Sequence, residues 1–289
     1  MQQSKVLVIV GPTASGKTSL AIDLAKQFNG EIICADSRTI YQGMDIGTAK
    51  PTIKQQDGIK HYLLDIVKPD EAFSASDFKI ACLQAIKDIK EKHKLPIICG
   101  GSGLYIDSVL YDYSFRGNTR TEHKLDGYTQ EQIKDLARSL YPKEYELIDN
   151  QNMLRVIQLI ERGPVNNDDR KVIKLNCKII GLSPERLIIK RNIALRTKEM
   201  LSNGFVQEVQ GLRDIYGAKC PAMSTIGYKQ IGDMIMHQTD LNDVENTINK
   251  ATMDYAKRQL TWFRRNNSIV WAENHTKAIE IAKVYLQSI

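Results

Sequence analysis

The 289-residue sequence lacks the features that mark secreted, zinc-dependent or membrane-spanning proteins. Its five cysteines form no C-x-x-C pair and its five histidines show no metal-ligand spacing, so we expect reduced thiols and no structural zinc. No apolar run approaches the length of a membrane span, and Met1 leads into KVLVIVG without a charged leader. These absences predict a cytoplasmic protein that has no membrane partner.

The composition is that of a globular protein with a sizeable core. Hydrophobic residues make up 42% and charged residues 26%, and the formal net charge is +6. A mild positive charge indicates a partner only where the basic residues cluster. The length exceeds that of a usual single domain, so we expect one large domain or a domain with an insertion.

Short apolar runs alternate with helical stretches along much of the chain. The runs are continuous rather than alternating, which is typical of strands covered on both faces of a parallel sheet. The pattern therefore predicts an α/β fold, a parallel sheet of the P-loop NTPase type with helices on both faces. The predicted strands are residues 5–10, 31–35, 62–66, 96–99, 177–182 and 269–271.

The strand pattern breaks between residues 112 and 176, where charges are frequent and helical segments such as EQIKDLARSL occur. We interpret 112–176 as a helical insertion that projects from the sheet. Residues 1–111 and 177–289 then form the α/β core. From residue 184 the core is almost all helical, and it includes a basic, aromatic-bearing helix near 251–265.

Residues 11–18 read GPTASGKT, a complete match to the phosphate-loop pattern G-x-x-x-x-G-K-[ST] between a predicted strand and a predicted helix. Glycines let successive backbone N–H groups face an anion at the positive end of a helix. Lys17 adds a positive charge, and the Thr18 hydroxyl can ligate Mg²⁺. The loop predicts a phosphorylated ligand and leaves its identity open; a nucleotide, and with it a small-molecule kinase, is one alternative.

Asp36 follows the second predicted strand and so lies at the carboxyl edge of the sheet, where open α/β sheets bind their ligands. It is a candidate catalytic base or metal ligand beside the phosphate loop. Asp-Ser is also good capping chemistry, and for these two residues taken alone a cap for the turn that follows is the favoured interpretation.

Several longer motifs resemble one family. Residues 36–51 (DSRTIYQGMDIGTAKP) are similar to the signature of the tRNA dimethylallyltransferases, and matching blocks continue in the family's order to the end of the basic helix. The region 112–176 matches only weakly. The other blocks are HYLLD (61–65), FSASDF (73–78), GGSGLY (100–105), IGYKQ (226–230) and YAKRQLTWFR (255–264).

The resemblance implies a reaction and the groups that perform it. Such enzymes transfer the dimethylallyl group of dimethylallyl diphosphate to N6 of an adenosine next to the anticodon (position 37) of tRNA, release pyrophosphate and need Mg²⁺. By this resemblance Lys17 and Thr18 stabilise the leaving group, Thr18 ligates the metal, Asp36 accepts the N6 proton, and Ser102 hydrogen-bonds near the reacting groups. The diphosphate-binding residues are Gly11, Pro12, Thr13, Ala14, Ser15, Gly16, Lys17 and Thr18.

The resemblance also implies an anticodon stem-loop as partner, bound by a monomer. Cations and aromatic rings on the helix near 251–265 suit single-stranded RNA loops, although taken alone such a helix can be an amphipathic element with a solvated charged face. The predicted tRNA contacts are Asp36, Ser37, Arg38, Thr39, Ser102, Lys124, Lys257, Arg258, Gln259 and Arg264.

Three positions depart from the family pattern. Ser102 replaces a usual Thr, Thr39 a frequent Gln, and Ser224 an Arg or Gln. If the missing cation contacts the diphosphate in relatives, another must serve here, and Lys229 is one candidate. The resemblance further implies that the loop around Lys50 shapes the acceptor site.

Parts of the sequence also fit three other functions, each of which conflicts with another part. A small-molecule kinase needs neither residues 36–51 nor 255–264. An isopentenyltransferase acting on free AMP needs neither the charged insertion nor the basic helix. An RNA-binding module with a degenerate loop conflicts with the intact Lys17, Thr18 and Asp36.

Overall fold

The computed structural model describes residues 5–113, 115, 125, 127–163, 172–238 and 240–288. Its contacts divide the chain into two compact units, which we call the core unit (Met1–Leu110 with Lys174–Ile289) and the inserted unit (Tyr111–Ile173). The insertion predicted at 112–176 begins one residue later and ends three residues later than the inserted unit.

A six-stranded sheet, parallel throughout, organises the core unit and confirms the predicted α/β class. The order across the sheet is β3-β2-β4-β1-β5-β6. The strands are β1 (Val6–Val10), β2 (Gly30–Ala35), β3 (His61–Tyr62), β4 (Leu95–Gly100), β5 (Cys177–Leu182) and β6 (Ile269–Ala272).

Twelve helices are described, numbered here in chain order. They are α1 (Lys17–Gln27), α2 (Ile53–Gln56), α3 (Ala75–Glu91), α4 (Gly103–Leu110), α5 (Gln130–Leu140), α6 (Pro142–Leu147), α7 (Met153–Arg162), α8 (Arg186–Ser202), α9 (Phe205–Tyr216), α10 (Tyr228–His237), α11 (Leu241–Phe263) and α12 (His275–Gln287). None of the described helices is long and apolar enough to cross a membrane.

Both faces of the sheet are covered. Leu7 and Ile9 of β1 pack with α1 and α12 in one apolar cluster, while the alternate residues Val6 and Val8 point to the opposite face and are equally buried. Helix α3 packs on β2 and β4. Continuous apolar strands are therefore needed, as the sequence predicted.

The C-terminal helices build a second apolar cluster beside the carboxyl edge of the sheet. Phe205 of α9 and Tyr228 of α10 meet edge to face, with ring centroids 5.0 Å apart. Met44, from the loop after β2, is fully buried in the same cluster. This packing brings helices from late in the chain against loops from its start.

The inserted unit is helical and has its own small core. Thr129 and Gln132 form a reciprocal capping box at the start of α5, and Pro142 opens α6, where its missing N–H is no loss. Tyr145 and Ile160 are among the residues buried between the three helices α5, α6 and α7.

Two predicted elements differ from the observed ones by more than two residues at an end. The strand predicted at 62–66 is wrong beyond Tyr62, because Leu63 and Asp65 adopt left-handed backbone conformations (φ 63° and 54°) that no strand allows. The helix predicted near 251–265 is α11, which begins earlier, at Leu241, and ends at Phe263.

Candidate active site

The phosphate loop joins β1 to α1 at the carboxyl edge of the sheet. Gly16 caps α1 with φ 88°, and Gly11 has φ 147°. A side chain at Gly11 would place Cβ 2.4 Å from the carbonyl oxygen of Leu182, so only glycine fits. Ala14 also takes a left-handed conformation, φ 61°. The loop thus turns tightly from β1 into α1 while Gly11 lies against the end of β5. Its N–H groups are near the positive end of α1.

Lys17 lies under this loop. Its ammonium donates to the carbonyl of Pro12 at 2.5 Å. Burial lowers the pKa of Lys17 to about 8, although Cys99 and Asp36 act in the opposite direction. An anionic ligand would offset that cost of burial, because a negative charge nearby favours the ammonium form.

Two cavities meet beside the loop. The first has a volume of about 260 Å³ and is lined by the loop from Thr13 to Thr18, by Asp36 and Thr39, and by the glycines after β4. The second, of about 380 Å³, lies among the C-terminal helices and is lined by Arg38 and Arg258 among others. Both cavities are lined by Thr13, Asp36, Thr48 and Arg196.

Asp36 therefore stands where the two cavities join. Its Oδ1 accepts the backbone N–H of Arg38 at 2.8 Å, so the turn-capping interpretation is also correct for this oxygen. One carboxylate can serve both purposes, because its other oxygen is not needed for the turn.

Three polar atoms in the first cavity are buried without a hydrogen-bond partner among the described residues: Ser15 Oγ, Thr39 Oγ1 and His61 Nε2. Leaving such atoms unpaired costs about 1–3 kcal/mol each. The other ring nitrogen of His61 is 2.9 Å from the carbonyl oxygen of Ile59. Unpaired polar groups around the loop indicate a cavity built for a polar ligand.

Ser37 and Ser102 are hydrogen-bonded to each other, and neither residue lines the first or the second cavity. The backbone N–H of Ser37 donates to Ser102 Oγ at 2.9 Å, and Ser102 N–H donates to the carbonyl of Ala35 at 3.1 Å. The hydroxyl predicted to touch the substrate is thus engaged in joining the loops after β2 and β4.

Gln259, predicted to contact tRNA, is buried, with a relative exposure of 5%, and lines the first cavity. Its amide oxygen accepts the N–H of Thr13 at 2.8 Å, and its amide nitrogen donates to the carbonyl of Gly101 at 3.0 Å. The helical period explains the difference. Gln259 is on the inner face of α11, whereas Lys257 and Arg258 are exposed.

Of the remaining predicted tRNA contacts, three are exposed on the surface and one is not among the described residues. Lys257 and Arg264 are exposed, with Arg264 just past the end of α11. Arg258 is exposed as well and lines the second cavity. Lys124 lies outside the described residues.

Arg196 on α8 is a cation that the sequence analysis missed. It lines both cavities, and one of its guanidinium nitrogens is 3.4 Å from Thr13 Oγ1. Burial lowers its pKa, against the influence of Glu199 and Asp36. Ser224 lines the second cavity, whereas Lys229, the substitute cation suggested by the sequence, lines neither. An Arg in the middle of a helix carries no local motif, so only its tertiary position reveals it.

Glu208 of α9, also missed, holds the loop after β2. Its carboxylate accepts the backbone N–H groups of Asp45 (3.0 Å), Ile46 (2.7 Å) and Gly47 (3.1 Å), and the hydroxyl of Tyr228 donates to it. Inside the loop, the buried ammonium of Lys50 pairs with Asp45 and Asp65. The two charges fix the backbone that places Thr48 in both cavities.

A magnesium ion fits these residues only together with a phosphorylated ligand. In the described part of the chain, no group of three or more His, Cys, Asp or Glu could hold a metal ion. The two residues predicted as metal ligands, Thr18 and Asp36, both line the first cavity. Mg²⁺ in such sites typically takes one or two protein oxygens and completes its shell with substrate phosphates and water.

The fold and the loop define a P-loop α/β protein with a phosphate cavity that opens toward a second, cation-lined cavity. The sequence model of the IPP transferase family matches residues 39–266. A tRNA dimethylallyltransferase of Bacillus anthracis is 40% identical over 94% of this chain and 91% of its own length. The chain belongs to the tRNA dimethylallyltransferase family.

Solved structures show the same relationship. The tRNA isopentenylpyrophosphate transferase of Bacillus halodurans has a TM-score of 0.77 and 32% identity, covering 99% of this chain and 96% of that one. A eukaryotic dimethylallyltransferase solved acting on tRNA has a TM-score of 0.86 over 96% of this chain and 77% of its own. At 24% identity the latter comparison shows the fold alone.

Proposed function

We propose that this protein transfers the dimethylallyl group from dimethylallyl diphosphate to N6 of the adenosine at position 37, next to the anticodon of tRNA, and releases pyrophosphate. The observation that carries this proposal is the position of Asp36, at the junction of a phosphate-loop cavity and an arginine-lined cavity. A transfer between two substrates needs such a junction, because the reacting atoms must meet within about 3–3.5 Å.

The first cavity takes the diphosphate. The loop N–H groups and the Ser15 hydroxyl would donate to its oxygens, with Lys17 and Arg196 as countercharges. When bound, Mg²⁺ would neutralise charge on the diphosphate, with the Thr18 hydroxyl as a ligand. These groups favour departure of the pyrophosphate, because they stabilise the negative charge that grows on it as the allylic C–O bond breaks.

The second cavity takes the adenine base. As the new C–N bond forms, N6 becomes positively charged and must lose a proton, which Asp36 accepts. The neutral exocyclic amine is a weak nucleophile, so a carboxylate within hydrogen-bond reach both aims it and receives the proton. The atoms then balance as prenylated adenosine, pyrophosphate and one proton.

The surface beside the second cavity takes the anticodon stem-loop. Lys257 and Arg264 are exposed at the C-terminal half of α11 or just beyond it, and Arg258 reaches from this surface into the cavity. The inserted unit, to which Lys124 belongs, is also proposed to contact tRNA. We propose that the protein acts as a monomer in the cytoplasm.

A transfer assay tests the proposal. The protein is incubated with radiolabelled dimethylallyl diphosphate and Mg²⁺, and with unmodified tRNA, AMP or no acceptor. Label should appear only in tRNA, at position 37. Label in AMP alone would assign the chain to the free-nucleotide reaction, and ATP turnover without any transfer would assign it to the kinases.

A further inference from the structure

Gln259 joins two loops of the active site from a helix far along the chain. Its oxygen accepts the N–H of Thr13 in the phosphate loop, and its nitrogen donates to the carbonyl of Gly101 after β4. The side chain is buried and both ends of its amide are used. A buried amide satisfied at both ends holds its partners firmly, because breaking either bond leaves a buried polar group unpaired.

The loop after β4 is shaped to receive this helix. A Cβ at Gly101 would lie 2.1 Å from Gln259 Nε2, and one at Gly103 would lie 2.4 Å from Trp262 Cδ1. Gln259 and Trp262 are three residues apart, so they lie on the same side of α11. Burial raises the pKa of Tyr255, one turn earlier, to about 12, against the influence of Ser102 and Gln259 beside it. The inner face of α11 thus fits closely onto the segment 101–103.

The phosphate loop needs such a restraint at Thr13. The loop carries a left-handed alanine one residue later, at Ala14, whose carbonyl accepts from the Asn192 amide of α8 at 3.1 Å. Left-handed alanine is strained by roughly 1–2 kcal/mol, so the surroundings must hold it in place. Gln259 and Asn192 hold two consecutive residues of the loop from two different helices.

We propose that Gln259 is a positioning residue that fixes the phosphate loop in the conformation that binds a diphosphate, and that it makes no contact with RNA. This inference rests on the proposed function only in naming the ligand as a diphosphate. Helix α11 would then have two faces with different functions. The inner face sets the diphosphate site, and the outer face, with Lys257, binds RNA.

The two faces can be tested in the full chain with inorganic pyrophosphate and Mg²⁺ as the probe, measured by calorimetry, and with tRNA binding measured separately. Gln259→Ala should weaken pyrophosphate binding about tenfold, the range for a lost buried hydrogen bond, and leave tRNA affinity within about twofold. In kinetics it should raise KM for dimethylallyl diphosphate, not KM for tRNA. Lys257→Ala should show the opposite pattern.

Two further variants separate positioning from simple loss of stability. Gln259→Glu keeps the length and an acceptor for Thr13 N–H, but it sets a carboxylate against the Gly101 carbonyl and near the diphosphate. It should bind pyrophosphate at least as weakly as Gln259→Ala. Val244→Ala removes a buried side chain on the same helix, in a cluster that holds no residue of the phosphate loop, and should lower the melting temperature without changing pyrophosphate affinity.

Two results would overturn the inference. Unchanged pyrophosphate affinity in Gln259→Ala with weaker tRNA binding would return Gln259 to the RNA surface, and unchanged affinity for both would make it purely structural. If the wild type transfers no label to tRNA while pyrophosphate binding still depends on Gln259, the proposed function fails and the positioning role stands.

Discussion

The carboxylate of Glu208 accepts the backbone N–H of Ile46 at 2.7 Å, across 162 positions of sequence. The same carboxylate also accepts the N–H groups of Asp45 and Gly47 and the hydroxyl of Tyr228, so its negative charge is surrounded by hydrogen-bond donors. Such charge-assisted bonds are roughly twice as strong as neutral ones. The loop after β2, and through it Thr48, is held from α9.

Replacing Glu208 by Gln should therefore loosen this loop. The variant sets an amide NH₂ against N–H donors, and we expect unfolding stability to fall by about 1–3 kcal/mol and transfer to fall with it. Urea denaturation and the transfer assay measure the two effects. Glu91→Gln at the exposed end of α3 should change neither, and an equally small effect of Glu208→Gln would contradict the role assigned to this carboxylate.

Lys17→Ala should lower the transfer rate about 10²–10³-fold, as expected for the loss of a charge that stabilises a leaving group. Stopped-flow or quenched transfer under saturating tRNA measures the rate. Lys17→Arg keeps the charge and should lose less. A rate within threefold of the wild type in Lys17→Ala would remove Lys17 from the leaving-group site.

The pH dependence of pyrophosphate binding gives a second test of the same residue. Burial lowers the pKa of Lys17 to about 8 in the free protein. The ammonium is therefore charged below pH 8 and loses its proton as the pH rises above it, so binding should weaken above pH 8.

Titrations across pH 7–10 in wild type, Lys17→Arg and Lys17→Ala check this direction. The ionisation of pyrophosphate is common to all three and cancels in their ratios. Arg stays charged throughout this range, so the ratio of wild-type to Lys17→Arg affinity should fall above pH 8. A constant ratio would contradict a lowered pKa.

The double variant Lys257→Ala/Arg264→Ala should weaken tRNA binding and flatten its salt dependence, because fewer counterions are released when fewer phosphates are contacted. Filter binding at several salt concentrations measures both. Lys277→Ala/Lys283→Ala on α12 removes the same charge from another exposed helix and is the control. An equal loss in both double variants would show that only net charge matters.

The sheet and the phosphate loop could be predicted from the sequence because their signals are local. Five of the six strands coincide with apolar runs that the sequence shows directly. The residues that make the phosphate loop recognisable, GPTASGKT, are adjacent in the sequence. Asp36 could be located because the end of a parallel strand is also an edge of the sheet. The third strand was mispredicted, since a run of apolar letters does not reveal the left-handed turn at Leu63.

The rest of the site depends on helix packing, which no local pattern records. Arg196 and Glu208 reach the site from helices whose sequences carry no motif. Gln259 was assigned to RNA because its neighbours are cations, and only the packing of α11 on Gly101 shows that it points inward. Long-range placement of polar side chains is therefore what the structure adds.

The central claim is that Asp36, at the junction of the two cavities, accepts the proton of the adenine amine. Asp36→Asn keeps the shape and can still accept the Arg38 N–H, but it cannot take up a proton. The decisive measurement is the single-turnover rate of transfer to tRNA in Asp36→Asn, alongside its melting temperature and tRNA affinity. We predict a fall of roughly 10²–10⁴-fold, the range for loss of a general base, with affinity little changed. A destabilised variant whose folded fraction transfers at a near-normal rate would show that Asp36 only caps its turn.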